Sequence, residues 1–382
     1  MAERCPVCAS AATTVFLRRA QVPVHQNLPF SSEKEALAAR RGDLHMAVCL
    51  ACSFVFNAAF DPKILSYDER YDNSQAFSGV FSRHMEELAD HLVNRRGVQG
   101  VSIVEVGCGK GDFLRMLVEK HPRNTGIGFD PSYVGPGEEI AGRLRFERRM
   151  FGPGTASPAA GVVLCRHVIE HVARPLELLE SVRDCLPNAR LFFETPCVEW
   201  ILRNEVIWDF FYEHCSLFSA SSLALAFRTA GFRVDAVRKL FGDQYLWLEA
   251  SPDGDNGYAA PAGRDAAAMA AGFAQRFDLA VARWSDKVAE LRAAGRVAIW
   301  GAGAKGATFV DLVDRDRTRI DCVVDINPNK HGRYIAGTGH PIVPPGALLE
   351  RGVSAAIMMN PNYLAEAQVI LDREGIGTRL SI

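Results

Sequence analysis

Apolar and polar positions along this chain repeat with two periods, and the segments they mark fall into three groups. The first group is small: Val22-Pro-Val-His-Gln-Asn27 reads as an extended segment and Ser53-Phe-Val-Phe-Asn57 as the final strand of a module. Asp61-Pro-Lys starts a helix. Phe81, Met85, Leu88, Leu92 and Val93 recur every three or four residues, predicting an amphipathic helix over 81–94. Short buried strands follow at 103–106 and 126–129, then a third strand with its following loop over 146–151, then strands at 161–165 and 191–195, the last closed by Pro196. The glycine-rich stretch 133–142 covers a helix poorly. A helix over 223–232, stopped by Gly231, and strands near 232–237 and 245–250 finish this second group. Ser251-Pro-Asp-Gly-Asp-Asn-Gly-Tyr-Ala-Ala-Pro261 reads as a boundary. Beyond it come an alanine-rich helix over 265–294 and strands at 296–300, 321–324 and 355–359. Strands alternating with helices imply an α/β fold with parallel sheets.

Length and composition narrow the class. The 382 residues are enough for two or three domains. With 48% hydrophobic residues, 23% charged residues and a net charge of −2, the chain is an ordinary soluble protein rather than a binder drawn by charge to a nucleic-acid polymer or a membrane. No apolar run approaches the roughly 18 residues that span a bilayer. Met1-Ala-Glu-Arg-Cys-Pro6 lacks the apolar core of a signal peptide, so the expected location is the cytoplasm. There, ten cysteines point to metal or free thiols rather than to disulfides.

Four of them form two C-x₂-C knuckles, Cys5-Pro-Val-Cys8 and Cys49-Leu-Ala-Cys52. Each offers two thiolates, and together they make a closed tetrahedral S₄ set, which suits a structural Zn²⁺ with no place for a reacting water. The paired copies and the lack of a surrounding βαβ pattern disfavour a redox role. The insert between the knuckles is long for a zinc ribbon. His25 inside it is either a substitute ligand or a surface histidine.

The densest chemistry lies in Val104-Glu-Val-Gly-Cys-Gly-Lys-Gly-Asp-Phe-Leu114. A strand that ends in Gly107, Gly109 and Gly111 and turns into a helix near Asp112 lets backbone approach a nucleotide-like ligand, with free N–H groups at the helix start. Glu105 is an acid in a buried strand and needs a cationic or hydrogen-bonding partner. Asp130 closes the next strand, where nucleotide folds place a carboxylate for ribose hydroxyls. Phe151 either flanks adenine or packs in the core. Arg166-His-Val-Ile-Glu-His171 follows the fourth strand and borders the crevice at the strand ends, so His167 faces the pocket, while His171 caps the next helix or packs in it. Tyr67-Asp-Glu-Arg-Tyr-Asp-Asn-Ser74 is either a lid or a linker whose tyrosines pack on the domain. Tyr212-Glu-His214 groups a phenol, a carboxylate and an imidazole, a set suited to proton transfer or to holding a loop. Finally, Gly301-Ala-Gly-Ala-Lys-Gly306 with Asp325 makes a dinucleotide fingerprint with its ribose acid.

In this order the motifs resemble the sugar C-methyltransferases of antibiotic deoxysugar pathways. The likeness rests on Cys5, Cys8, Cys49 and Cys52, on Glu105 to Gly111, on His167-Val-Ile-Glu-His171, on Tyr212-Glu-His214, and on Gly301 to Gly306 with Asp325-Ile-Asn-Pro-Asn-Lys330. It implies a zinc-binding module over 1–65, a class I methyltransferase doubly wound sheet over 66–250 and a smaller Rossmann-like, substrate-binding domain over 251–382. It also implies that Glu105, Gly107, Gly109, Gly111, Asp130, Phe151, Arg166 and His167 hold S-adenosylmethionine, with Cys5, Cys8, Cys49 and Cys52 on Zn²⁺. Methylation at carbon beside a ketone needs an enolate. His214 is then the base and Glu213 orients it or binds substrate, while Tyr212, His167 and Tyr71 donate to the enolate oxygen. The implied partner is a nucleotide-sugar met by a monomer or homodimer. Two other readings stay open: O-, N- or C-methylation of another small natural product, and a dinucleotide-dependent oxidoreductase using Gly301 to Gly306. A non-catalytic zinc scaffold is the weakest.

Overall fold

The computed structural model describes residues 4–152, 154, 160–252 and 265–382. Most of the boundary read at 251–261 lies outside the described residues. Among the described residues, seventeen strands form three sheets. The insert between the cysteine knuckles is a long antiparallel hairpin: β1 (Thr13–Pro23) pairs with β2 (Arg41–Cys49), and β3 (Val55–Asn57) adds to β2. The sequence reading found only the end of β1, because this hairpin mixes exposed charges with apolar residues and two register shifts. Asp61-Pro-Lys forms one 3₁₀ turn rather than a helix, with the Asp61 side chain accepting from Lys63 N–H.

The central sheet collects β4 (Ser102–Val106), β5 (Thr125–Phe129), β6 (Glu138–Glu139), β7 (Leu144–Glu147), β8 (Val162–Arg166) and β9 (Arg190–Pro196), then β11 (Arg233–Leu240) and β12 (Tyr245–Ser251). Their order is β11-β12-β9-β8-β4-β5-β7-β6. β7, β5, β4, β8 and β9 run parallel, and β12 enters antiparallel between β9 and β11. The sequence reading placed the third strand and its following loop at 146–151. Leu144 and Phe146 are the residues that turn inward, and Arg148 to Met150 are exposed, so the strand ends earlier. The helix expected over 223–232 instead spans Ala220–Thr229, started by a capping box between Ser219 and Ser222.

β10 (Ser216–Leu217) leaves the central sheet and pairs with β3, so the segment after Tyr212-Glu-His214 is stitched into the N-terminal sheet. The third sheet orders β13 (Arg296–Trp300), β14 (Ile320–Val324), β15 (Ile342–Val343), β16 (Val353–Met358) and β17 (Arg379–Ser381) as β15-β14-β13-β16-β17, all parallel. One apolar cluster runs from Leu17, Leu44 and Met46 of the first sheet through Phe210 and Trp208 to Phe273, Val297 and Phe309 of the last. The first and third sheets therefore share buried surface, a second cluster joins Ala47 and Phe56 of the first sheet to Val104 and Phe193 of the central one, and burial of this kind stabilises by roughly 25 cal/mol per Å². No helix among the described residues is long and apolar enough to cross a membrane.

Candidate active site

A cavity of about 370 Å³ opens where the three sheets meet, and both glycine loops face it. The first loop leaves β4. Gly107, Gly109 and Gly111 have φ of 68°, 56° and 81°. A Cβ on Gly107 would lie 2.2 Å from Val168 Cγ2, and one on Gly111 2.4 Å from Phe146 Cζ. At Gly109 nothing lies within 4 Å, so its surface is left to a ligand. Asp130 is where the strand pattern put it, and it braces the loop: its Oδ2 accepts Gly109 N–H at 2.8 Å and its Oδ1 accepts from Ser132 N and Oγ, each at 2.7 Å. Its Oδ2, which accepts a single bond, retains acceptor capacity toward a ribose.

Two buried ionisable side chains beside this loop each keep one polar atom without a hydrogen-bond partner. Glu105 is 3% exposed and its Oε2 has no hydrogen-bond partner. Burial pushes its carboxyl up to about 8, against the pull of Arg166. Arg166 spends Nε on Glu194 Oε2 at 2.8 Å and lies over the Phe113 ring, while its Nη2 is buried without a partner. An open acceptor and an open donor in one cavity suit an α-ammonium and an α-carboxylate, the two ends of the methionine part of S-adenosylmethionine. An ammonium at Glu105 would favour the carboxylate. Donor binding at pH 7 is therefore expected to release a proton, and affinity to rise with pH until about 8. Calorimetry with S-adenosylhomocysteine in buffers of different ionisation enthalpy checks this; a buffer-independent heat contradicts it.

His167 follows Arg166 at φ 54° and lines the cavity. Burial alone would depress its pKa, but Glu170 and Glu194, 3.4 and 3.5 Å from its two ring nitrogens, raise it to about 9. Phe151 packs edge-on against Phe129 with centroids 5.5 Å apart. The described residues around the cavity include Phe113 but not Phe151.

The Tyr212-Glu-His214 triplet is split by the structure. Only His214 reaches the cavity, with its ring 4.1 Å from Phe211 and 4.8 Å from His171. Burial, reinforced by the charges of His171, His167 and Lys305, holds its pKa well below the ordinary imidazole value. It is thus a neutral imidazole with a free proton-accepting site. Glu213 does not line the cavity but lies behind it, against Tyr71 and the N-terminal hairpin. Its Oε2 accepts Gln26 N–H at 2.8 Å, and its Oε1 lies 3.8 Å from His25. Tyr212 leaves the candidate set, since its hydroxyl accepts Asp61 N–H at 2.8 Å and its ring packs on Phe60. His25 is neither a surface residue nor near the cysteines, but stands edge-on to Tyr67 and beside Glu213.

In the stretch around Tyr67 and Tyr71, Tyr71 is buried and Tyr67 partly so, while Glu69, Arg70 and Asn73 are exposed. Tyr71 lines the cavity and accepts from Asn27 Nδ2 at 3.3 Å, and Tyr67 bonds His171 Nδ1 at 2.7 Å. Burial raises both phenols well above their usual pKa, so both remain proton donors.

The second glycine loop forms the opposite wall. Ala302 N–H donates to Asp325 Oδ2 at 2.8 Å, and a Cβ on Gly306 would fall 1.9 Å from Gly301 O. Lys305 of this loop is ion-paired with Asp209, and Gln244 and Asn360 exchange two amide hydrogen bonds of 2.8 and 2.9 Å between the domains. Sequence reasoning missed Asn27, Asp209, Gln244 and Asn360, which carry no local motif. Away from the cavity, Cys5, Cys8, Cys49 and Cys52 bring one sulfur each within 4.8 Å of the others, with Cys5–Cys52 at 3.6 Å and Cys8–Cys49 at 3.5 Å.

Known proteins agree with this layout. The family described as "Methyltransferase domain" matches residues 81–237, and "C-methyltransferase C-terminal domain" matches 260–374. The chain is 25% identical to C-methyltransferase NovU of Streptomyces niveus over 97% of its own length and 92% of that protein. It is 27% identical to desmethyl-yatein O-methyltransferase of Sinopodophyllum hexandrum, over 47% of this chain and about half (51%) of that one. The solved structure of CalO1, a methyltransferase in calicheamicin biosynthesis, is 19% identical over 45% of this chain and 56% of that chain, with a TM-score of 0.35. A glycine loop with open donor and acceptor groups, the two matched domains in sequence, and a relative aligned over nearly its whole length lead to one conclusion: the chain is an S-adenosylmethionine-dependent methyltransferase, similar over 97% of its length to a C-methyltransferase.

Proposed function

We propose that the protein methylates a carbon of a nucleotide-linked keto-deoxysugar through an enolate. The observation that carries this is a neutral, half-buried His214 in the cavity that the donor loop and the second glycine loop both line. S-adenosylmethionine supplies an electrophilic methyl on a sulfonium. The remaining work falls to the chain. A ring nitrogen of His214 takes the proton from the carbon beside the ketone, and the electron pair moves onto the carbonyl oxygen. The His167 imidazolium and the Tyr71 hydroxyl donate toward that oxygen as charge develops. The enolate carbon then takes the methyl, the S–CH₃ bond breaks, and the ketone re-forms. The loop from Gly301 to Gly306, with Asp325, holds the nucleotide, and Asp130 the donor ribose. Glu213 acts from behind, fixing the 210–214 turn to the N-terminal hairpin.

The four cysteines suit a structural Zn²⁺. A tetrahedral site with Zn–S of about 2.3 Å has S···S edges of roughly 3.8 Å, close to the 3.5 and 3.6 Å seen here. This zinc takes no part in the reaction.

A different small acceptor is the second reading, favoured by the match of 47% of the chain to an O-methyltransferase. The second glycine loop, on the wall facing the donor, supports the nucleotide-sugar instead. Incubation with S-adenosylmethionine and nucleotide-linked 4-keto-6-deoxy sugars, followed by NMR, separates them. A new methyl on carbon is expected; a methyl found only on oxygen or nitrogen overturns the proposal.

A further inference from the structure

Below the donor pocket lies a carboxylate that the mechanism above does not use. Glu194 sits in β9 and is fully buried. Its Oε1 accepts from His84 Nε2 at 2.7 Å, its Oε2 accepts from Arg166 Nε at 2.8 Å, and Oε2 also lies 3.5 Å from His167 Nε2. The backbone is engaged as well. Arg166 and Glu194 are paired across β8 and β9, and His167 N–H donates to Glu194 O at 2.8 Å. One residue thus holds the main chain of His167 by a hydrogen bond and sets a carboxylate 3.5 Å from its buried Nε2, which has no hydrogen-bond partner, while His167 is a non-glycine residue held at φ 54°. A buried carboxylate costs several kcal/mol to desolvate unless it is paired, and a fold needing only bulk here could use an apolar side chain.

We infer that Glu194 is a positioning residue for methyl transfer, holding His167 in the cavity as an imidazolium and fixing the adjacent Arg166 guanidinium beside the donor loop. This rests on the reading of His167 as the group that meets the developing enolate oxygen. The groups around His167 come from several elements. Glu170 faces Nδ1 at 3.4 Å, Glu194 faces Nε2, and the Tyr245 ring of β12 stands edge-on at 4.5 Å. Arg166 is its chain neighbour, and His84 reaches it only through Glu194. Both near carboxylates favour the charged ring. Glu170 is itself anchored, accepting from Thr195 Oγ1 at 2.9 Å, and Thr195 follows Glu194 in β9. The same strand therefore supports both carboxylates.

The consequence is a preset positive group where an enolate oxygen would gain charge, with no proton to be fetched from solvent during the reaction. Glu194→Gln is close to isosteric and keeps an oxygen for His84 or Arg166, but removes the charge. The test is NMR titration of the His167 ring, assigned by loss of its signals in His167→Asn, in wild type and in Glu194→Gln, without any substrate. The wild-type midpoint is expected near 9, moving at least a unit toward the ordinary 6.5 in the variant. In turnover, kcat should fall roughly tenfold to a hundredfold with acceptor KM little changed. Because the titration needs no acceptor, it judges the positioning claim even if the sugar assignment fails. An unshifted midpoint in a folded variant overturns the inference. Should the variant not fold, a wild-type midpoint at or below 6.5 overturns it equally.

Discussion

Replacing His214 by alanine is expected to lower turnover by about 10² to 10⁴, the usual worth of a positioned general base, while S-adenosylhomocysteine binds with nearly unchanged affinity. The separation follows from geometry: the donor groups Glu105, Arg166 and the loop Gly107 to Gly111 lie on the central sheet, whereas His214 approaches from the segment that pairs into the N-terminal sheet. Steady-state kinetics with the methylated acceptor, together with calorimetry, check both halves. Wild-type turnover in this variant contradicts the base assignment. The pH profile adds a second check. His214 is held well below the free imidazole value by burial and neighbouring positive charge, so the acid limb of kcat/KM should fall below pH 6.5 rather than at it. His167 has the opposite sign. Its raised pKa contributes stability that is complete below about 6.5 and lost as pH rises through about 9.

The second large effect is expected from the cysteine cluster. Stripping the proposed zinc with a chelator, or replacing Cys49 by serine, should abolish activity although no chemical step uses the ion. Structural zinc binding is worth about 10–16 kcal/mol, as much as the whole stability of a typical domain, about 5–15 kcal/mol. The loss reaches the site through named contacts. Cys49 ends β2, and the hairpin that β2 closes carries Gln26 onto Glu213 and Asn27 onto Tyr71. Metal analysis of the purified protein, circular dichroism and turnover are the readouts. A variant without zinc that keeps its near-ultraviolet signal and its rate would show that the module is dispensable.

The parts of this molecule that sequence reading placed well are those whose meaning is local. A buried strand running into Gly107, Gly109 and Gly111 and then into a helix needs only a dozen residues to declare itself, and the helix Asp265–Ala294 and the turn at Gly301 to Gly306 were equally plain. Positions decided by distant pairing were not legible. Tyr212 and His214 are two residues apart, yet one is fixed by the backbone of Asp61 and the other by the cavity wall, and nothing in the triplet itself distinguishes them. His25 looked like an ordinary surface residue until the 210–214 turn was laid against it. Glu194 was hidden inside a strand pattern read as apolar, and its partner His84 is 110 positions earlier. Lys305 stood out as an intruder in a glycine turn, but only the fold reveals Asp209 as its counter-ion.

Solvent deuterium exchange is the most direct test of the carbanion chemistry. Purified protein in deuterated water would be mixed with nucleotide-linked 4-keto-6-deoxy sugars, with and without S-adenosylmethionine, against enzyme-free controls, and followed by mass spectrometry. The predicted result is enzyme-dependent uptake of deuterium beside the ketone, and addition of a methyl at that carbon when the donor is present. Neither exchange nor methylation across the panel, from protein that binds the donor, would contradict the account.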